Sequence, residues 1–348
     1  MTSFAEIPNT ITNEQQLDDV LTSPSPKLVE FVRALKGDIL ILGAGGKMGP
    51  SLAVLAKRAI EAAGSSSSVI AVSRFSDAAS RRWLDERGVI THSANLLDRT
   101  AVQQIPDAEN VLYMVGTKFG TSQNPSFTWA INTIASGQVM ERFATSRFVA
   151  LSTGNIYPFV PTNSGGATEA GPVEPVGEYA NAALGRERMF QYFSHRNNTP
   201  VTLMRLNYAV DLRYGVLTDI GLRVLSGEPV DVRNGYLNCI WQGDANDAII
   251  RALAVAESPP TLLNLTGPET LSVRNIAERF GELLDRPVRF TGEEAESALL
   301  SNSAKCCEQL GVPSVTSDTM IRWTANWLAN DGRLLNKPTH FEVRDGKF

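Results

Sequence analysis

"ILGAGGKMGP", residues 41–50, decides how the rest of the chain is read. It closes an apolar run, "DILIL" (38–42), of the kind a buried parallel strand requires. It then places Gly43, Gly45, Gly46 and Gly49 within seven positions. From Lys47 to Ala62 apolar residues recur at helical spacing, and "SVIAV" (68–72) supplies a second strand. The glycines therefore sit at the turn of a βαβ unit. There, Gly43 permits a tight turn, Gly46 lets backbone approach a pyrophosphate, and Gly49 permits close helix-to-strand packing. The helix start, with Lys47 and Met48 at its mouth, adds unsatisfied N–H groups and a favourable dipole for phosphate charge. A purely structural turn is the competing reading. Lys47 is followed by Met48 rather than Ser or Thr, which argues against a Walker-type loop and ATP hydrolysis.

The second strand ends in "AVSRFSD". An acid at this place would bind a ribose and favour NAD, but Ser73 and Arg74 occupy it. Arg74 is suited to pair with a 2′-phosphate and Ser73 to donate a hydrogen bond, so NADP is the preferred cofactor and NAD the possible one. A solvated surface arginine is the alternative for Arg74, and Asp77 is a later, rival acid.

Outward from this unit, strand and helix alternate. A helix around 77–87, a strand near 89–91 and a short helix near 99–105 precede strands at "VLYMV" (111–115) and "FVALS" (148–152), with a helix across about 127–144 between them. A helix across 178–194 leads to "VTLMRL" (201–206). This alternation predicts an α/β fold with a doubly wound, mostly parallel sheet. Beyond Asn207 the regularity weakens. "TLLNLTG" (261–267), "SVRNIAERFGELL" (272–284) and "VRF" (288–290) suggest a smaller C-terminal α/β substrate lobe. The expected organisation is a helical extension over 1–37, a dinucleotide domain over 38–210, a substrate lobe over 211–330 with 237–258 returning to the first domain, and a tail over 331–348. In the extension, Ser25 is placed as a helix N-cap with Pro26 at the first helical position, and packing against the first sheet or a partner subunit is expected. The Gly/Pro-rich stretch 159–177 reads as an ordered loop, or as a mobile substrate lid.

Hydrophobic residues make up 43% of the chain and charged residues 20%, as in ordinary globular proteins. A net charge of −5 with no basic block argues against nucleic acid as the main partner. There is neither a secretion signal nor an apolar span of membrane length, so no membrane partner is expected and the cytoplasm is the expected location. Cys239, Cys306 and Cys307 form no disulfide framework, and His92, His195 and His340 are scattered, so no metal is expected.

"GAGGKMG" (43–49), "LSTGNIYP" (151–158), "EYANAALGRE" (178–187), "RLNYAVD" (205–211) and "LNCIWQGDANDAIIRAL" (237–253) together resemble, in order, segments of the extended short-chain dehydrogenase/reductase family, in its NAD(P)-dependent epimerase/dehydratase branch. The resemblance spans about residues 38–330 and implies a Rossmann-like fold. It also implies that Tyr179 is the general acid/base and that Thr153 hydrogen-bonds the same substrate oxygen. Asn132 would orient backbone near the cofactor. Asn95 and Leu96 would stand where adenine is contacted, and Val115 and Gly116 at the end of the fourth strand would line the cofactor site. For Thr153, Tyr179 and Asn95 the bland alternatives are a local strand-end hydrogen bond, pocket lining and loop capping, respectively. Tyr157 would fill the groove below the site, and Glu187 keeps an acid common in the family.

One residue departs from the pattern. The family's Y-x-x-x-K lysine holds ribose hydroxyls and favours the ionised tyrosine, and here its position is Ala183. Bringing a phenol from near ~10 to about 7 asks for roughly 4 kcal/mol, which a methyl group cannot supply. Arg186, on the tyrosine's helical face, and Lys118, after the fourth strand, are the candidate replacements. Two functions are consistent with this set. One is an oxidoreductase, epimerase or dehydratase using hydride transfer at a carbinol carbon of a sugar-like or polyhydroxy substrate. The other is a catalytically impaired, NAD(P)-binding regulatory or interaction protein. The resemblance also implies a possible homodimer through helices flanking the catalytic segment.

Overall fold

The structure, a computed structural model, describes residues 7–117, 120, 121 and 123–346. A seven-stranded parallel sheet forms its centre, from β1 (Ile39–Leu42), β2 (Val69–Ser73), β3 (Ile90–Ser93), β4 (Asn110–Tyr113), β5 (Arg147–Thr153), β6 (Val201–Leu206) and β7 (Thr261–Leu265). Their order across the sheet is β7-β6-β5-β4-β1-β2-β3. The order reverses between β1 and β4, which pair directly as Ile39 with Asn110 through Leu42 with Tyr113. A crevice at the carboxyl ends of these strands is where a doubly wound sheet receives ligands.

The strand residues show why the sheet is central. All four residues of β1 are buried, and alternate ones serve opposite faces. Ile39 and Ile41 join the Gly49–Ala63 helix, the Pro26–Ala34 helix and the Gln242–Arg251 helix in one apolar layer. Leu40 and Leu42 join Ala135, Val139 and Phe190 in the other. With both faces covered by helices, the strands need apolar side chains on both sides, which explains the continuous runs.

A third apolar cluster forms the smaller lobe, around Val216, Ile220, Phe280, Trp323 and Trp327. Its α/β character comes from the Val216–Ser226 and Val273–Leu284 helices and short strand pairs such as Phe290–Thr291 with Val230–Asp231.

Two placements differ from the sequence reading. Thr261–Leu265 belongs to the main sheet, pairing in parallel with Val201–Leu206, instead of to the lobe. An apolar run states that it is a buried strand but not which neighbour it pairs with. The N-terminal extension also divides. Ser25 caps the Pro26–Ala34 helix, its Oγ accepting from Leu28 N at 3.1 Å, and that helix lies on the main sheet's layer. The Glu14–Leu21 helix instead buries Leu17 and Leu21 in the lobe. Trp323 Nε1 donates to Pro8 O at 3.0 Å, fastening the extension to the chain's penultimate region.

The stretch 159–177 is held by backbone pairing and side-chain bonds. Val160–Pro161 pairs with Ser297–Ala298, Ala167 bridges to Ser301, and Glu169 Oε1 accepts from Asn264 N at 2.7 Å. Among the described residues no helix is long and apolar enough to cross a membrane.

Candidate active site

The glycine turn is built by backbone. Gly43 has φ +88°, and its N–H, like that of Ala44, donates to Val72 O, at 2.9 and 3.0 Å. A Cβ on Gly43 would stand 3.0 Å from the Met114 and Val115 backbone. At Gly49, where the helix begins, a Cβ would meet Ala44 O at 2.5 Å and its carbonyl carbon at 2.6 Å. Neither backbone neighbour can yield cheaply. Gly49→Ala is therefore expected to cost about 1–3 kcal/mol of stability, read by urea unfolding, and to weaken dinucleotide binding in parallel. Unchanged stability and binding would contradict this account of the turn. The helix N-terminus carries no side-chain cap at Met48, so no capping side chain takes up its first N–H groups.

Two clefts meet here. The first, of about 370 Å³, is walled by Gly46, Lys47, Met48 and Gly49 on one side and by Thr153, Tyr179, Tyr208 and Tyr214 on others. The second, of about 230 Å³, lies among Ser73, Arg74, Asn95, Leu96, Val115 and Thr117. Gly43, Gly46, Met114 and Gly116 border both, so an elongated molecule crossing the turn would enter each. The glycines allow the close backbone packing that forms the turn, and the helix start without a side-chain cap suits a pyrophosphate between the clefts. The residues present fit a dinucleotide.

In the second cleft Arg74 is exposed at the rim, with Ser73 beside Gly45. Asn95 Oδ1 accepts from Leu97 N at 3.2 Å, a loop cap that still leaves its amide at the cleft. Asp77 is engaged elsewhere: it caps the Ala78–Asp85 helix, accepting from Ala79 N at 2.9 Å.

In the first cleft Tyr179 stands in the opening turn of the Gly177–Asn197 helix, and Thr153 at the end of β5. Thr153 Oγ1 accepts from Asn155 N at 3.2 Å, which orients the oxygen and leaves its O–H able to donate. Gly177, with φ +81°, lets Gly346 of the tail pack directly against the start of the tyrosine's helix. Lys47 turns its Nζ onto the face of Tyr214, 3.2 Å from the ring centroid. Burial, aided by the charge of Asp219, pushes the Tyr214 phenol well above its ordinary range, and burial does the same to Tyr208.

The remaining predicted residues that the structure describes lie behind the clefts. Ala183 is fully buried. Arg186 does not turn back toward Tyr179; its Nη1 donates to Val115 O at 2.9 Å and to Asn132 Oδ1 at 2.5 Å. Asn132, fully buried, donates from Nδ2 to Thr128 O at 2.8 Å. Neither borders a cleft, but together they brace the loop after β4 that lines both. Lys118 lies outside the described residues. Tyr157 is buried, donating to Asn264 Oδ1 at 2.8 Å and accepting from Arg205 Nη1 at 2.7 Å. Glu187 accepts from Arg205 Nε and Nη2 at 3.0 and 2.9 Å. Tyr208, Tyr214, Gln242 and Thr339 also line the first cleft; Tyr208 and Gln242 lie in segments that carried the resemblance but were not singled out, and Tyr214 and Thr339, from an irregular segment and the tail, had no sequence signal. Among the described residues no cluster of three or more His, Cys, Asp or Glu could hold a metal ion.

Known proteins resemble this arrangement in fold. UDP-glucose 4-epimerase of Thermotoga maritima, solved with UDP-glucose, superposes with a TM-score of 0.67 at 18% identity, over 84% of this chain and 99% of that one. UDP-glucose 4-epimerase of Thermus thermophilus, solved with NAD, gives 0.68 at 18% identity over 85% and 99%. DesIV, a dTDP-glucose 4,6-dehydratase of Streptomyces venezuelae solved with NAD and TYD, gives 0.69 at 16% over 84% and 97%. No curated protein matches the chain in sequence. The sequence profile of the NAD dependent epimerase/dehydratase family, however, matches residues 39–215, about half of the chain, over the glycine turn, β5 and the Tyr179 helix. With strand order, glycine turn and profile in agreement, the chain belongs to the NAD dependent epimerase/dehydratase family.

Proposed function

We propose that the chain is an NAD(P)-dependent epimerase, dehydratase or oxidoreductase acting at a carbinol carbon of a sugar-like or polyhydroxy substrate. The observation that carries this reading is the glycine turn open to two clefts, one with Arg74 and Asn95 and the other with Thr153 and Tyr179. Gly43, Gly46, Lys47, Met48 and Gly49 border the pyrophosphate's path, and Ser73, Arg74, Asn95, Leu96, Val115 and Gly116 surround the adenosine end. The bound nicotinamide supplies the hydride acceptor and donor. Tyr179 takes the substrate hydroxyl proton as the carbinol becomes a ketone and returns it on reduction. Thr153 donates its O–H to the same oxygen and fixes its position. A ketone acidifies the neighbouring C–H bonds, which opens epimerisation or elimination before the hydride returns, whereas release of the ketone gives net oxidation. The purified chain is expected to reduce NAD(P)⁺ or interconvert isomers with a member of a polyol and nucleotide-sugar panel. Inactivity of folded, dinucleotide-loaded protein across that panel would count against it.

The fully buried methyl of Ala183 favours a second reading, a dinucleotide-binding regulator without catalysis. That reading requires NADP binding to alter affinity for a partner, and equal partner binding by the empty and loaded protein would remove it.

NADP is the proposed cofactor because Arg74 is at the rim and Asp77 is committed to its helix. Arg74→Ala is expected to weaken NADP binding by about 1–3 kcal/mol more than NAD binding, measured by titrating both nucleotides. Equal losses, or a wild-type preference for NAD, would overturn the phosphate assignment.

A homodimer through the Pro125–Arg142 and Gly177–Asn197 helices is also proposed. The exposed Trp129, Ile134 and Tyr192 lie on these two elements. A monomer mass independent of concentration would exclude it. The proposed location is the cytoplasm.

A further inference from the structure

We propose that Gln242 holds a hydroxyl of the ribose next to the nicotinamide, with its side-chain oxygen as the acceptor. The inference rests on the reading of the first cleft as a dinucleotide site and deepens it by naming a contact on that cleft's wall. Gln242 opens the Gln242–Arg251 helix, which shares an apolar layer with the Gly49–Ala63 helix. It is nearly buried and lines the first cleft with Gly46, Met48 and Gly49. Its amide is oriented by a hydroxyl with no capacity to spare. Ser51 Oγ, in the first turn of the Gly49–Ala63 helix, donates to Met48 O at 3.1 Å. It accepts from Gln242 Nε2 and from Asn246 Nδ2, each at 3.0 Å. A hydroxyl has one proton and two lone pairs, so Ser51 is saturated and both amides turn nitrogen toward it. Each amide oxygen is thereby directed elsewhere. Asn246 is fully buried, and its Oδ1 has no partner among the described residues. Gln242 belongs to the cleft wall, so its Oε1 is the one that a ligand can reach.

The chemistry of that oxygen selects the group it meets. A carboxamide oxygen only accepts, whereas the first N–H groups of a helix and a lysine ammonium only donate. Phosphate oxygens are acceptors themselves, so they suit the helix start and are disfavoured at Gln242. A hydroxyl suits it. Ser51 ties Gln242 to Met48 at the head of the helix, where the pyrophosphate is placed. The hydroxyl-bearing unit next to the pyrophosphate on this side of the turn is the nicotinamide's ribose. Ser51 lines neither cleft and acts through the amide, as a positioning residue. A Gln242 that only braced the two helices would make the same bond to Ser51, and its oxygen would be indifferent to the ribose.

The test reads binding and not turnover. NADP⁺ and its analogue lacking both hydroxyls of the nicotinamide ribose are titrated by calorimetry against the wild type, Gln242→Met and Ser51→Ala. The NAD⁺ pair, which carries the same ribose, takes their place if the wild type prefers NAD⁺. The wild type is expected to bind the parent dinucleotide more tightly than the analogue. Gln242→Met keeps the side chain's length and loses the acceptor, so it should narrow that ratio by about 3–10-fold, the size of one hydrogen bond. Affinity for the adenosine nucleotide alone, which has no nicotinamide ribose, should stay the same and separates a lost contact from a distorted site. Ser51→Ala keeps Gln242 but frees its amide, and is expected to lose part of the same preference. An unchanged ratio in Gln242→Met, or in Ser51→Ala should the first not fold, overturns the proposal. So does an equal loss for all three ligands, which would make Gln242 a brace only. Because no substrate is used, a chain without turnover that shows the narrowed ratio sinks the enzymatic reading and leaves this one standing. Turnover with an unchanged ratio does the reverse, and a wild type that binds no dinucleotide overturns both.

Discussion

Tyr179→Phe is expected to leave folding and dinucleotide affinity intact and to reduce turnover by about 10²–10⁴-fold, the usual size of a lost general acid/base. The phenol oxygen is the only atom removed, and the ring stays to line the first cleft. If Tyr179 merely lined the wall, the substitution would change KM and leave kcat nearly untouched. A fall in kcat and kcat/KM together identifies an interaction made in the transition state. Thr153→Val should act in the same direction and by less, because in the proposed mechanism its oxygen positions a substrate atom without exchanging a proton. Its contact with Asn155 N is lost as well, so its thermal stability should be measured beside its kinetics.

Glu187→Ala is expected to destabilise the fold by about 3–5 kcal/mol, the cost of stranding a buried charge. Glu187 is fully buried and Arg205 nearly so, joined by two bonds of 3.0 and 2.9 Å. Burial works against the Arg205 charge, but the hydrogen bonds and charge of Glu187 outweigh it and raise the guanidinium further above its ordinary range. The arginine continues to the Tyr157 hydroxyl, which reaches Asn264 on β7, so the network spans the Tyr179 helix, β6, the loop after β5 and β7. Removing the acid leaves Arg205 charged, dry and short of two acceptors. Replacing both partners, as in Glu187→Leu with Arg205→Met, should cost much less than either single change to alanine, because no lone charge remains. Urea unfolding of the three proteins checks both statements. A loss below about 1 kcal/mol in Glu187→Ala would contradict the account of this pair.

The sheet was legible because its evidence is local. Four buried apolar residues before a glycine turn, and a helical period after it, leave few alternatives to a strand–turn–helix unit. The strand at Thr261–Leu265 was legible as a strand and not as a member of the main sheet, since its partner, Val201–Leu206, lies far away in sequence. The site divides in the same way. Gly43 and Gly49 could be read from spacing, whereas the direction of a long side chain could not. Arg186 shares a helical face with Tyr179, yet the buried Asn132 amide and the Val115 carbonyl offer it better acceptors than the cleft does. The role of Asp77 had a visible signal, an Asp immediately before a helical segment, and the search for a ribose acid hid it. Tyr214 and Thr339 had none, because they come from an irregular segment and from the tail.

The most direct measurement is a crystal structure of the chain with oxidised NADP. The dinucleotide is expected to cross the glycine turn, with its 2′-phosphate at Arg74, its pyrophosphate at Gly46 and the start of the Gly49–Ala63 helix, and its nicotinamide in the cleft walled by Thr153 and Tyr179. The Tyr179 oxygen should face the nicotinamide with room for a substrate oxygen about 2.6–3.2 Å away. A nicotinamide outside that cleft, or a Tyr179 oxygen turned into the core, would contradict the account.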